Sequence, residues 1–217
     1  MKKEFYFPSK DGITQIHALE WIPEGAPKAI LQIAHGMVEH IERYHDFATY
    51  LSSQGIYVTG HSHLGHGNSM ISKEKMGYFA APNGNECVIG DIHELRKLTQ
   101  EKYPEVPYFL MGHSMGSFIT RDYIATYGNE LAGATMCGTC GALPSLKDAT
   151  AYIQKLVDDG KGDESDPDAT NLLFGFMFDR IEEDVKLGNE WICHSKYVQD
   201  DHAADPFDAF TKPTNNR

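Results

Sequence analysis

Residues 108–128, YFLMGHSMGSFITRDYIATYG, constrain the fold more than any other stretch of this chain. Four apolar residues, Tyr108 to Met111, run into Gly112-His113-Ser114-Met115-Gly116. A helical pattern follows, with Phe118, Ile119, Tyr123, Ile124 and Tyr127 expected on one face. A strand, a sharp turn and a helix in that order are the setting in which a G-x-S-x-G match carries chemical meaning. The turn strains its central residue, so small neighbours are needed on both sides, here Gly112 and Gly116. Ser114 then projects at the end of a sheet, and the start of the next helix favours developing negative charge there. The bland reading is a loop with an ordinary serine, and the flanking strand and helix argue against it.

The rest of the first 142 residues alternates strands and helices. Glu4 to Phe7 and Gln15 to Ile22 read as an antiparallel hairpin around Lys10-Asp11-Gly12. Ala29 to Ala34, AILQIA, is a continuous apolar run, as expected of a strand buried on both faces. Arg43 to Ser53 has helical period and ends at Gly55. Ile56 to Thr59 is a short strand, and Asn85 to Tyr103 a long helix with Val88, Ile89, Ile92, Leu95 and Leu98 as its buried stripe. Leu131 to Cys137 reads as a further strand. Such alternation predicts an α/β fold with a mostly parallel sheet and right-handed crossovers.

After Leu143 the alternation stops. Lys155 to Thr170 is polar, and the intensely apolar Leu172 to Phe178 follows inside an acidic region. We therefore expect a core over residues 1–142 and a lid or cap over 143–217. The apolar segment either packs within the cap or turns one face toward an acyl chain. Of the formal charge of −12, most lies in the cap, which has 16 acidic against 8 basic residues. That balance argues against nucleic acid and anionic membrane surfaces as partners. The N-terminal MKKEFYFPSKDG holds no apolar run long enough for a signal peptide, and no stretch approaches a spanning helix, so a cytoplasmic location is expected.

A second motif precedes the first core helix: Ile33-Ala34-His35-Gly36-Met37-Val38-Glu39-His40-Ile41-Glu42-Arg43-Tyr44. A glycine directly after a buried strand lets the chain turn its N–H groups toward a nucleophile. Acyl transfer needs two such donors, one from the residue after the nucleophile, here Met115, and one from an earlier loop, here Met37. His35 and Gly36 shape that loop, as Gly112, His113 and Gly116 shape the elbow.

IAHGMVEHIERY, SHLGHGNS, MGHSMGSFITRDYI and EWICHSKYVQDDHAADPFDAF together resemble the monoacylglycerol lipase and bacterial lysophospholipase branch of the α/β-hydrolase superfamily, the serine-aminopeptidase-like lipases. The resemblance spans nearly the whole chain. It implies an α/β-hydrolase core with an inserted helical lid, Ser114 as nucleophile, and the N–H groups of Met37 and Met115 as oxyanion hole. It also implies substrates with one acyl chain.

The chain departs from that pattern twice. Ser62 stands where relatives carry Asp. The family order of Ser, then Asp, then His places the last two on loops after later core strands, and the sequence stops at Thr211 to Arg217 without a strand-like run. The expectation is a core without its C-terminal strands, truncated where the lid would return to it. His194 and His202 are the only histidines after Ser114, and Asp200, Asp201 and Asp205 around His202 read more simply as an acidic patch on a surface histidine.

Two further motifs are weaker. His61-Ser62-His63-Leu64-Gly65-His66 fits H-x-H-x-x-H, but Gly65 stands where a dinuclear zinc site carries Asp, so the segment reads as a hydrolase loop. His17, His40, His45 and His93 read as surface or packing residues. Cys137-Gly138-Thr139-Cys140 is a lone C-x-x-C without a helix start after its first cysteine. No metal and no organic cofactor is expected. The function expected is hydrolysis of a single-acyl lipid ester through an acyl-enzyme. A hydrolase-like binding protein without turnover and an aminopeptidase-like peptidase stand as alternatives. Oligomeric state is left open.

Overall fold

The computed structural model describes residues 1–142, 145–162, 164, 166–175 and 189–208. The chain divides into two compact units, residues 1–139 and 140–217.

The first unit is a six-stranded sheet: β1 (Lys2–Pro8), β2 (Gln15–Trp21), β3 (Ala29–Ala34), β4 (Ile56–His61), β5 (Tyr108–His113) and β6 (Gly133–Cys137). The strands lie in the order β1-β2-β4-β3-β5-β6. β1 and β2 form the expected hairpin, and β2 pairs antiparallel with β4. The other pairings are parallel. At the hairpin turn Gly12 takes φ 76°, and the Asp11 carboxylate accepts the N–H groups of Ile13 and Thr14.

Helices cover both faces, which explains the apolar run of β3. On one side, α2 (Gly84–Gln100) and α3 (Met115–Tyr127) pack Val88, Ile92, Leu95, Ile119 and Tyr123 against Phe7, Ile16 and Leu110. On the other, Ala48 of α1 (His45–Ser53) joins Leu19, Trp21, Ile33, Ile41 and Val58. One buried polar residue of β3, Gln32, is satisfied: it donates to the Ile92 carbonyl and accepts from the Tyr108 hydroxyl at 2.6 Å. Of the residues expected on the buried face of α3, Ile119, Tyr123, Ile124 and Tyr127 pack on the core and Phe118 does not. Phe118 is 42% exposed, while Gly116, Ser117 and Thr120 are buried. The small residues face the sheet because the helix start approaches β3 too closely for a large side chain.

Asp91 ties the hairpin to α2. Its buried carboxylate accepts the Ser9 hydroxyl and the Lys10 N–H, each at 2.7 Å. Burial raises its pKa to about 6 despite those bonds. Replacing Asp91 by alanine orphans both donors, and the urea unfolding midpoint is expected to fall by the equivalent of about 1–3 kcal/mol.

In the second unit the described helices are α4 (Leu146–Asp158), α5 (Pro167–Phe174) and α6 (Lys196–Ala204). Asp166 caps α5 through the Ala169 N–H, with Pro167 at the first helical position. Ile153, Leu156 and Val157 of α4 and Ala169 and Leu173 of α5 line a cleft of about 260 Å³. Of the apolar segment expected over Leu172 to Phe178, residues 176–178 lie outside the described residues, as do residues 211–217. Among the described residues no helix is long and apolar enough to cross a membrane.

Candidate active site

β5 ends at His113, and α3 begins at Met115. Ser114 between them has φ 51° and ψ −119°, a left-handed conformation that a non-glycine residue adopts only under constraint. The constraints are visible. Its N–H donates to the Cys137 carbonyl at 2.9 Å, which ties the turn to β6. Its carbonyl accepts the Ser117 N–H at 2.8 Å and the Ser117 hydroxyl at 2.6 Å, which starts the helix.

Both glycines of the turn are sterically required. A Cβ on Gly112 would lie 2.2 Å from the Gly116 carbonyl oxygen and 2.3 Å from Thr120 Oγ1. On Gly116 it would lie 2.1 Å from the Ala34 oxygen and 2.5 Å from the His35 oxygen. The N-terminus of α3 therefore rests directly on the end of β3, where the first loop motif begins. A Cβ on Gly36 would stand 3.2 Å from Cβ of Ser114, so that loop abuts the serine.

His35 is fully buried and sets the loop. Its Nδ1–H donates to the Gly36 carbonyl at 2.7 Å, which leaves Nε2 to accept the His63 N–H at 2.8 Å. Met37 follows, half-buried, and Val38 takes φ 60°. Met115 is the first residue of α3, so its N–H has no acceptor within the helix. Among the described residues the Ser114 hydroxyl makes no hydrogen bond.

Sequence reasoning missed Glu39, which sits between loop and elbow. Its Oε1 accepts the Gly36 N–H, the Tyr44 hydroxyl at 2.8 Å and His113 Nδ1 at 2.9 Å. The bond to Glu39 raises the His113 imidazole above its usual range, against the opposing effect of burial. Burial pushes the Glu39 carboxyl up, but the bonds from His113, Tyr44 and Gly36 outweigh it and hold it below the usual carboxylate range. Gly36, Glu39 and Tyr44 were in plain sight within HGMVEHIERY, and His113 within the elbow. Their convergence on one oxygen required the packing of β3 against β5.

Several other histidines serve as buried packing residues. His61, His63 and His66 are buried. His63 Nε2 donates to the His35 carbonyl at 3.2 Å, and its ring packs 4.1 Å from that of His35. Neither ring nitrogen of His61 has a partner among the described residues. The three do not gather their ring nitrogens within 4.8 Å as a ligand set. Ser62 is buried, and a Cβ on Gly67 would lie 2.6 Å from its hydroxyl, so a small side chain fits that turn. His17 and His40 are buried too, the packing alternative of their reading. In the second unit His202 is likewise buried rather than on the surface, and its Nε2 lies 3.5 Å from Asp208 Oδ2.

A family model described as serine aminopeptidase, S33, matches residues 25–216. The rat monoglyceride lipase is 37% identical over 100 residues, 46% of this chain and 31% of that enzyme. The monoacylglycerol lipase of Mycolicibacterium smegmatis is 26% identical over 175 residues, 78% of this chain and 60% of that enzyme. These matches thus span less than two thirds of the curated relatives. A thermostable carboxyl esterase from Bacillus coagulans, solved in complex with glycerol, superposes with a TM-score of 0.87 at 36% identity, covering 96% of this chain and 67% of that one. With its strand order, elbow and loop motif, the chain belongs to the serine aminopeptidase S33 family of α/β-hydrolases, on the monoacylglycerol lipase branch.

Proposed function

We propose that this protein is a serine hydrolase that cleaves the carboxylic ester of a single-acyl lipid, a monoacylglycerol or a lysophospholipid. The observation that carries the reading is the contact between elbow and loop, with Gly36 packed against Ser114 at the start of α3. Ser114 Oγ attacks the acyl carbonyl. The N–H groups of Met37 and Met115 receive the developing oxyanion, aided by the N-terminal dipole of α3. The alcohol leaves, and water releases the fatty acid from the acyl-enzyme. Attack requires a base to take the Ser114 proton. The relatives named as monoglyceride lipases support the substrate class.

A second reading, a hydrolase-like binding protein without turnover, is favoured by one observation: among the described residues no base is bonded to the Ser114 hydroxyl. Two measurements separate them. A fluorophosphonate probe is expected to label Ser114, located by peptide mass spectrometry, and purified protein is expected to hydrolyse p-nitrophenyl acyl esters in preference to aminoacyl-p-nitroanilides. Labelling without turnover supports the binding reading. Preference for the anilide makes the protein a peptidase. No labelling at Ser114 sinks the hydrolase proposal.

A further inference from the structure

We infer that Glu39 is a positioning residue whose carboxylate latches the Met37 loop to the elbow, so that the Met37 N–H is held facing Ser114. The inference rests on the serine-hydrolase reading for its chemistry, and on three contacts for its geometry. One oxygen, Oε1, gathers donors from three elements: the Gly36 N–H after β3, the Tyr44 hydroxyl at the entry to α1, and His113 Nδ1 at the end of β5. His113 directly precedes Ser114, and Gly36 directly precedes Met37. The carboxylate therefore grips the residue next to the nucleophile and the residue next to the oxyanion donor with the same atom.

The segment inside this grip is strained. The bond from Gly36 N–H to the Glu39 side chain closes a ring around Met37 and Val38, and Val38 sits at φ 60°, 2% exposed. A β-branched residue holds a left-handed conformation only where its surroundings over-determine it. Released from Glu39, Val38 relaxes toward negative φ and swings the adjoining Met37–Val38 peptide away. Gly36 stays closely neighboured even without the carboxylate, since a methyl there would meet His113 Nδ1 and Ser114 Cβ at 3.2 Å.

The test measures phosphonylation of Ser114 by a fluorophosphonate, separated into kinact and KI, for wild type, Glu39→Gln and Glu39→Ala. A displaced oxyanion donor slows bond formation rather than binding. Glu39→Ala is expected to lower kinact by about 10²-fold with KI unchanged. Glu39→Gln keeps an acceptor oxygen for the same three donors and is expected to retain most of kinact. A purely structural role would instead lower the fraction of competent protein at unchanged kinact. Equal kinact in wild type and Glu39→Ala overturns the latch and leaves the hydrolase reading intact. An unreactive wild type overturns the hydrolase reading; amide exchange then still decides the latch. The Gly36 amide of the wild type is expected to exchange at least ~10²-fold slower than an unprotected amide. Free exchange at Gly36 overturns the latch, including where Glu39→Ala does not fold.

Discussion

Replacing Gly116 by alanine is expected to destabilise the protein by at least about 3 kcal/mol, the upper part of the range for overpacking. The added methyl would stand 2.1 Å from the Ala34 oxygen and 2.5 Å from the His35 oxygen. Those are backbone atoms at the end of β3 and the residue after it, and β3 is held by its pairing with β4 and β5, so no rotamer change can clear them. α3 must lift off β3, and this drags Ser114 from its turn. Gly112→Ala meets the same limit from the other side, at 2.2 Å from the Gly116 oxygen. The control lies at the C-cap of the same helix. Gly128 is right-handed at φ −59°, and a Cβ there finds only ordinary contact at 3.4 Å from Ile124 Cβ. Thermal melts should show Gly116→Ala losing about 6–12 °C for a chain of this size, with Gly128→Ala unchanged or slightly raised. Equal melting of the two variants would show that helix and sheet are not in this contact.

Acid should unfold the protein steeply. Burial holds His61 down at about 3 and His66 at about 4, and drives His35 and His63 well below the usual range, with neighbouring histidines adding to the shift for His35, His61 and His63. In the unfolded chain each takes up a proton near pH 6.5. The unfolded state therefore binds more protons than the native state from about pH 6.5 downward, and stability falls with pH over that window. Each histidine contributes a slope of about 1.4 kcal/mol per pH unit, so four approach ~5 kcal/mol per unit below pH ~5.5. Asp91 acts in the opposite sense. Its raised pKa gives the native state the extra proton between about 6 and 3.8, which offsets one histidine over that range. Against a typical total of about 5–15 kcal/mol, the net slope brings unfolding well above pH 4. Urea midpoints measured from pH 7.5 to 4.5 check this, and a midpoint constant down to pH 5 contradicts it. His61→Leu, at a site where neither ring nitrogen has a partner among the described residues, should flatten the slope by one proton.

These two results probe different layers of legibility. The elbow could be read from Tyr108 to Gly128 because its constraints are local. A strand, a glycine on each side of a serine and a helical period follow one another within a single segment. The hairpin around Asp11 and the doubly buried strand Ala29–Ala34 were legible for the same reason. The exposure of Phe118 was not, because hydrophobic period alone put it with Ile119 and Tyr123 on the sheet side, whereas the close approach to the Ala34 carbonyl leaves room there only for small residues.

The histidines show the limit more sharply. His61, His63 and His66 read as part of a hydrolase loop, but their spacing says nothing of how deeply they are buried. Burial depends on what covers a segment, and Phe7 and Phe79 come from elsewhere in the chain to pack on their rings. Glu39 is the same case at the candidate site. Its three donors are 3, 5 and 74 positions away in the chain, and only the pairing of β3 with β5 brings the last of them in. The sequence by itself determined the class of fold, the serine at the turn and the loop that faces it, because short-range sterics and periodicity decide those. Tertiary structure alone decided which carboxylate joins loop to elbow and which imidazoles are driven out of water, because both depend on contacts between strands that are neighbours in the sheet and distant in the chain.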